Sequence, residues 1–311
     1  MNVRITIAGL LVLITGLTAC SGKDPVVPQG GGTALGPELD WTVTTYGNYH
    51  RAVAGGTAAS VYSVAPGDQL YFFNGTAWST TANAGTLQDF LDVWVAPAGE
   101  VIAVGSAGIS YIWRNNNWSP RSTGTTSHLW GVWGASSNAV FAVGSFGAVL
   151  FFNGVSWSAL NTGNGNGFND VWGTNANNVY IVGGNGTILR YNGTGFNAEN
   201  SGTTQNLSGV WGDSESSVFV VGTAGTVLHF DGTSWNPMVS NTTANLSKVW
   251  GTAANNVVAV GQNGTIMHYN GAEWRLQNSG TQQGLTDVWA ASATDYYVVG
   301  YGSVVIRSSA R

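Results

Sequence analysis

Charged side chains are scarce in this 311-residue chain. Only 8% of residues are Asp, Glu, Lys or Arg, where an average soluble domain carries about 25%. Ten basic against 15 acidic residues, with no basic cluster, exclude the electrostatic footprint of a nucleic-acid binder. Cysteine occurs once, at Cys20, so neither an intrachain disulfide nor a paired-cysteine metal site is available. The four histidines never fall at His-x-x-x-His spacing, and no metal or other cofactor is expected. No Gly-x-Ser-x-Gly elbow or phosphate loop stands in the strand–turn–helix setting its chemistry needs, so an enzyme is not expected. No helical period appears. Disorder is excluded as well, because 43% of residues are hydrophobic and 12% aromatic.

The first residues stand apart from the rest. Arg4 supplies a positive n-region, residues 5–17 an apolar h-region, and Leu17-Thr18-Ala19-Cys20 a small-residue cleavage site. Residues 1–20 resemble a bacterial lipoprotein signal peptide, whose lipobox ends in the cysteine that is acylated. The resemblance implies a lipid anchor at Cys20 and a cell-envelope address. Ser21 in place of Asp implies sorting to the outer membrane. Residues 21–37 carry Gly30-Gly31-Gly32 with Pro25, Pro28 and Pro37, which reads as a flexible stalk. No later stretch approaches the ~20 apolar residues of a membrane span.

What fills the remainder is a repeat. Tryptophan recurs at Trp94, Trp133, Trp172, Trp211, Trp250 and Trp289, always 39 residues apart, and a second aromatic keeps the beat at Trp118, Trp157, Phe196, Trp235 and Trp274. Within one repeat, Leu207-Ser208-Gly209-Val210-Trp211 precedes the buried-type run Val218-Phe219-Val220-Val221. Residues 226–230 follow, then Asp231-Gly232 and a last short run at Trp235. The Asp-Gly pair, echoed by Asn74-Gly75, Asn153-Gly154, Asn192-Gly193 and Asn270-Gly271, predicts a type I′ hairpin with positive φ at both residues. Four short antiparallel strands cannot bury both faces of a sheet alone, so the units must stack. The prediction is an all-β, seven-bladed β-propeller over residues 38–311. In the first blade Gly55 is read at the place of the periodic Trp. The last repeat stops before its outer strand, and Asp40-Trp41-Thr42-Val43-Thr44 is expected to supply it, closing the ring.

The motif Val-x-Ala-Val-Gly-x-x-Gly-Thr-Ile at residues 257–266, with Gly and Trp after the hairpin, resembles BNR-like propellers related to photosystem II assembly factors. The Trp spacing and Val-Trp-Gly resemble tectonin-type lectin repeats more weakly. The sialidase Asp-box is not reproduced at residues 231–235, and the arginines such a site needs are scattered among unlike positions.

Residues repeated in register belong to the core, so candidates are those that break the repeat. Trp130 is foremost, standing where other repeats have Leu91, Asn169, Ser208, Ser247 and Thr286. With it, His50, Arg51, Arg121, His128, Phe146 and Tyr301 form the expected ligand-binding set. Tyr46, Tyr49, Asp89 and Phe168 fall on the same face. Asp92, Asp170 and Asp287 share a slot near the channel, where loop-capping or solvation is expected. His229 and His268 share theirs with Phe151, Arg190 and Arg307, a tolerant position rather than a metal site. The leading reading is a monomeric, envelope-anchored scaffold for a protein partner. A glycan-binding lectin is second and a degenerate glycoside hydrolase third.

Overall fold

The computed structural model describes residues 37–81 and 83–310. The leader, Cys20 and residues 21–36 of the stalk lie outside them. Among the described residues, 28 strands form seven four-stranded antiparallel sheets. Six sheets run in chain order. Blade 1 begins at Ala52–Thr57, and the inner strands of blades 2 to 6 are Phe90–Val95, Leu129–Ser136, Phe168–Asn175, Leu207–Ser214 and Leu246–Ala253. Each inner strand packs on those of its two neighbours, and the last, Leu285–Ser292, packs on Ala52–Thr57, so the sheets form a closed ring. Second strands such as Ser217–Gly222 are β-branched and buried on both sides, as strands sandwiched between two sheets must be.

The seventh sheet is completed by the N-terminal strand Leu39–Thr45, which pairs antiparallel with Val304–Ala310. Trp41 lies opposite Ser308, as Trp274 lies opposite Tyr269 and Trp235 opposite Phe230. The strand therefore delivers its indole to the vacant outer-Trp slot, packed against Val258, Ile266 and their neighbours. Burial of that ring, rather than backbone pairing alone, sets the register.

The Val-Trp-Gly motif has a packing cause. In blades 2 to 5 the inner Trp lies edge-on against the Gly that follows the next blade's Trp, while Trp250 meets blade 7, where Ala290 takes that place. A Cβ at Gly251 would come within 2.5 Å of the Trp211 ring, and one at Gly212 within 2.8 Å of Trp172. Blade 1 obeys the same rule with a 40-residue step. Ala54 pairs with Tyr62 as Trp94 pairs with Ile102, so Ala54, not Gly55, takes the Trp slot. Gly55 takes the small slot, against Trp289. The outer hairpins also differ from expectation. Gly193 has φ +92°, but Asn192 does not adopt positive φ. Instead the Asn192 Oδ1 accepts N–H bonds from Thr194 and Gly195, an Asx turn spanning a four-residue loop.

Carboxylates staple the inner strands together around the axis. Asp92 accepts from the Val132 amide, Asp170 from Val210 and Asp287 from Val53, each across a blade boundary at 2.8–2.9 Å. Each also caps the amide that follows it in its own strand. These aspartates are buried, not solvated, and their counter-ion is Lys248, whose Nζ lies 2.8 Å from Asp170 and 3.9 Å from Asp92. One ammonium serves three carboxylates. Burial pushes Asp92 up to about 6 and Asp287 up to about 7, neighbouring carboxylates add to this, and Lys248 draws both back. Burial alone would lower Lys248, but the carboxylates reverse this and raise it.

Between the ordinary carboxylate range and pH 7, the folded chain thus holds protons that the unfolded chain releases. Stability should therefore fall as pH rises from about 4 to 7. Lys248→Met should cost roughly 3–5 kcal/mol at pH 8, where the acids are ionised and unpaired. The loss should be smaller at pH 5, where Asp92 and Asp287 are protonated. Denaturant unfolding at both pH values measures the difference.

Candidate functional site

One face of the ring carries the loops into each inner strand and the turns that follow each second strand. In blades 2 to 6 these turns share one geometry. A left-handed residue at φ 54–58°, namely Ala107, Phe146, Asn185, Ala224 or Asn263, precedes a Gly that is also left-handed. Its exposed amide is commonly capped by a side chain from the incoming loop. Asn206 Oδ1 accepts from Asn185 at 3.0 Å, and Asn245 Oδ1 from Ala224 at 2.9 Å. His128 does the same with Nδ1, accepting from the Ala107 amide at 3.3 Å. Its irregularity is thus partly structural, and its ring proton is confined to Nε2.

Blades 3 and 6 lack this cap, with Gly167 and Gly284 in its place, but blade 6 puts Asn263, which tolerates the left-handed region, where blade 3 puts Phe146. The position that would cap the Phe146 amide is Gly167, which has no side chain. Phe146 holds φ +58° and is 84% exposed. A bulky residue in the left-handed region is strained by about 1–2 kcal/mol, and here no burial of the ring offsets that cost. Such strain on an exposed aromatic makes Phe146 a candidate functional residue.

At the channel mouth one slot is filled, from blade 1 to blade 7, by Arg51, Leu91, Trp130, Asn169, Ser208, Ser247 and Thr286. Asn169 and Thr286 use it to hydrogen-bond the next blade's backbone, to Leu207 O and His50 O. Trp130 does not. It is 40% exposed, donates Nε1 to Ser145 Oγ at 2.9 Å and lies 5.6 Å from the His128 ring. Arg51 spreads its guanidinium 5.5 Å from the Tyr49 ring, and its Nε is buried without an acceptor among the described residues. Tyr49 in turn stacks on Tyr301 at 5.0 Å. Burial raises the Tyr49 hydroxyl, and Arg51 draws it back.

The expected residues therefore resolve into two groups on one face. His128, Trp130 and Phe146 share blade 3, while Arg51 and Tyr301 meet through Tyr49 where blade 7 joins blade 1. Three expected residues do not belong. His50 is fully buried, its ring held by Ser63 Oγ at 2.8 Å and Tyr46 O at 2.9 Å. The 40-residue step drops it into the slot of Phe90 and Leu129, both core residues. Phe168 fills that same core slot. Arg121 follows the outer strand Asn117–Pro120 and bonds its own chain at Pro120 O. That places it three strand spacings, about 14 Å, from the mouth. One residue was missed: Leu87, 98% exposed in the loop into blade 2. Its only signal is that no periodic position calls for a leucine there. Among the described residues, the exposed large hydrophobics Leu87, Trp130, Phe146 and Tyr301 lie on this face within blades 7 to 3, and only Val239, in the loop into blade 6, stands on it elsewhere. Blades 4 to 6 offer Asn169, Ser208 and Ser247.

The fold and this one-sided arc define a seven-bladed β-propeller with one asymmetric aromatic face. Solved structures with the same architecture include YCF48, a photosystem II assembly factor, in the form "YCF48 bound to D1 peptide". It shows a TM-score of 0.73 and 12% identity over 89% of this chain and 100% of that one. YCF48 from Cyanidioschyzon merolae gives 0.68 and 14% over 86% and 98%. Virginiamycin B lyase from Staphylococcus aureus gives 0.78 and 9% over 88% and 100%, and the WD40 repeats of RRP9 give 0.76 and 11% over 90% and 100%. The resemblance to assembly-factor propellers thus holds at the level of fold. No protein-family model and no curated protein matches the chain.

Trp130 and Trp133 separate face from core. Trp130→Ala should leave the melting transition nearly unchanged, because its indole bonds only a surface hydroxyl. Trp133→Ala removes the ring that rests against Gly173 and should cost roughly 3–5 kcal/mol. Thermal melts of both variants test the assignment, and equal losses would put Trp130 in the core.

Proposed function

We propose that this chain is a non-enzymatic, envelope-anchored scaffold that captures an extended segment of a protein partner on the face of blades 7 to 3. The observation that carries this is Phe146, strained in the left-handed region and exposed next to Ser145, whose hydroxyl accepts from Trp130 Nε1. Apolar side chains of a partner would pack on Leu87, Trp130, Phe146 and Tyr301. The Arg51 guanidinium supplies a charged donor for a carboxylate or carbonyl. YCF48, solved with a peptide bound, supports peptide capture as a use of this architecture, and WD40 propellers support scaffolding. Virginiamycin B lyase shows that a propeller can also house catalysis. The non-enzymatic reading is supported here by His128, the face's one exposed histidine, which spends Nδ1 on capping a turn.

Phe146→Asn isolates the claim, since Asn tolerates the left-handed conformation that Phe resists. The variant should be more stable by about 1 kcal/mol yet retain far less of the peptides selected on the parent from a displayed library. Unchanged retention in both Phe146→Asn and Trp130→Ala would remove the face from the proposal.

The anchor is a separate part of the proposal and rests on Leu17-Thr18-Ala19-Cys20. Outer-membrane residence follows from Ser21. In a bacterial host the parent should incorporate labelled palmitate and sediment with membranes, while Cys20→Ser should do neither. An unlabelled parent would overturn the lipoprotein reading.

A further inference from the structure

Each blade turns one side of its sheet toward the next, and across that side the second- and third-strand residues sit opposite each other. The pairs are Phe141 with Phe151, Phe219 with His229 and Val258 with His268. Two blades differ, pairing Tyr180 with Arg190 and Tyr297 with Arg307. In both, the guanidinium lies over the tyrosine ring, at 5.2 and 5.1 Å.

Where blade 4 meets blade 5 this pair is covered. Trp235 from the next blade lies edge-on to Tyr180 at 6.0 Å, pinned by its Nε1 donating to Glu199 Oε2 at 2.6 Å. Trp274 covers Phe219 in the same way, with its Nε1 on Met238 Sδ at 3.4 Å. Glu199 and Met238 each stand three residues after the outer aromatic of their strand. In blade 7 that slot is Thr44, whose hydroxyl is spent on Val305 O. The indole of Trp78 therefore has no anchor there. It lies against Tyr46 at 6.4 Å and His50 at 6.1 Å. What remains is an open groove of about 800 Å³ between blades 7 and 1, reaching down to Tyr297 and Arg307.

We infer that this groove binds a neutral oligosaccharide, at a site independent of the peptide-binding face. Its volume falls within the range of small-ligand sites. Trp78 gives it one half-exposed aromatic wall of the kind that stacks on the C–H face of a pyranose, while Phe73 and Tyr297 lie buried beneath the Arg307 guanidinium and form its floor. Arg307 is held by Asp295 through Nε at 2.6 Å and Nη2 at 3.0 Å, and lies 5.7 Å from the Phe73 ring. The pair is neutral as a unit while offering N–H donors and carboxylate acceptors side by side, which suits vicinal hydroxyls. A charged ligand would have to break it. Thr42 and Thr76, one on each lip, add exposed hydroxyls. The equivalent space between blades 4 and 5, lined by Arg190, Phe230 and Trp235, is smaller at about 570 Å³ and stops short of Tyr180, which Trp235 covers.

The test is retention of the full-length chain on a glycan array carrying neutral hexose and N-acetylhexosamine oligomers beside sialylated and sulfated glycans. The parent should bind members of the neutral set. Arg307→Met should reduce that binding at least tenfold. Thr42→Trp, an exposed change that fills the groove, should do the same while melting like the parent. Arg114→Ala, a surface arginine paired with Glu100 on blade 2, should leave binding intact. No binding to the neutral set, preference for the charged glycans, or binding that survives both Arg307→Met and Thr42→Trp would each overturn the inference. Loss of glycan binding with displayed-peptide binding intact would separate this site from the face.

Discussion

A four-stranded sheet of this size cannot cover its own two faces, and every other feature follows from how neighbouring sheets cover them. The covering is directional. Trp211 needs a glycine in the next blade, and Gly251 is there. Asp170 reaches forward to the Val210 amide in the same sense. Each blade is incomplete without its successor, so the array has no stable stopping point until it closes. Closure by Leu39–Thr45 is therefore a packing requirement: without Trp41 the face of blade 6 would keep an uncovered edge.

Packing of this kind leaves function to positions where the rule is relaxed. The inner Trp, the small residue after it and the second strand are used up by the ring. Residues at the mouth and in the left-handed turns are not, and there Arg51, Trp130 and Phe146 depart from the pattern. The groove between blades 7 and 1 arises from the same logic at the rim. A single slot, Thr44 in place of an indole-anchoring residue, leaves Trp78 free to turn toward His50 and Tyr46. Both candidate sites are thus local failures of the repeat within a scaffold that the other blades hold rigid.

Blade number, strand order and ring closure were legible in the chain. The 39-residue spacing is a one-dimensional signal, and the missing outer strand at one end matches the orphan strand at the other. Trp130, Phe146 and Tyr301 were also legible as exposed residues, because a residue that breaks a core period has no buried place waiting for it. His50 was misplaced for a geometric reason. Blade 1 steps by 40 residues, and one residue in a strand exchanges the solvent face for the core. His128 was legible as irregular but not as a turn cap, since its partner Ala107 belongs to the preceding blade.

The sequence by itself determined the architecture, because period and alternation are properties of short windows that need no knowledge of neighbours. Only the tertiary structure decided that Lys248 lies among three buried carboxylates contributed by other blades. It alone decided that Arg307 pairs with Asp295 beneath an open groove and that Phe146 lacks the cap its neighbours have. Those outcomes depend on contacts between residues on different strands, from 12 positions apart for Arg307 and Asp295 to 78 for Lys248 and Asp170, which no short window of sequence brings together.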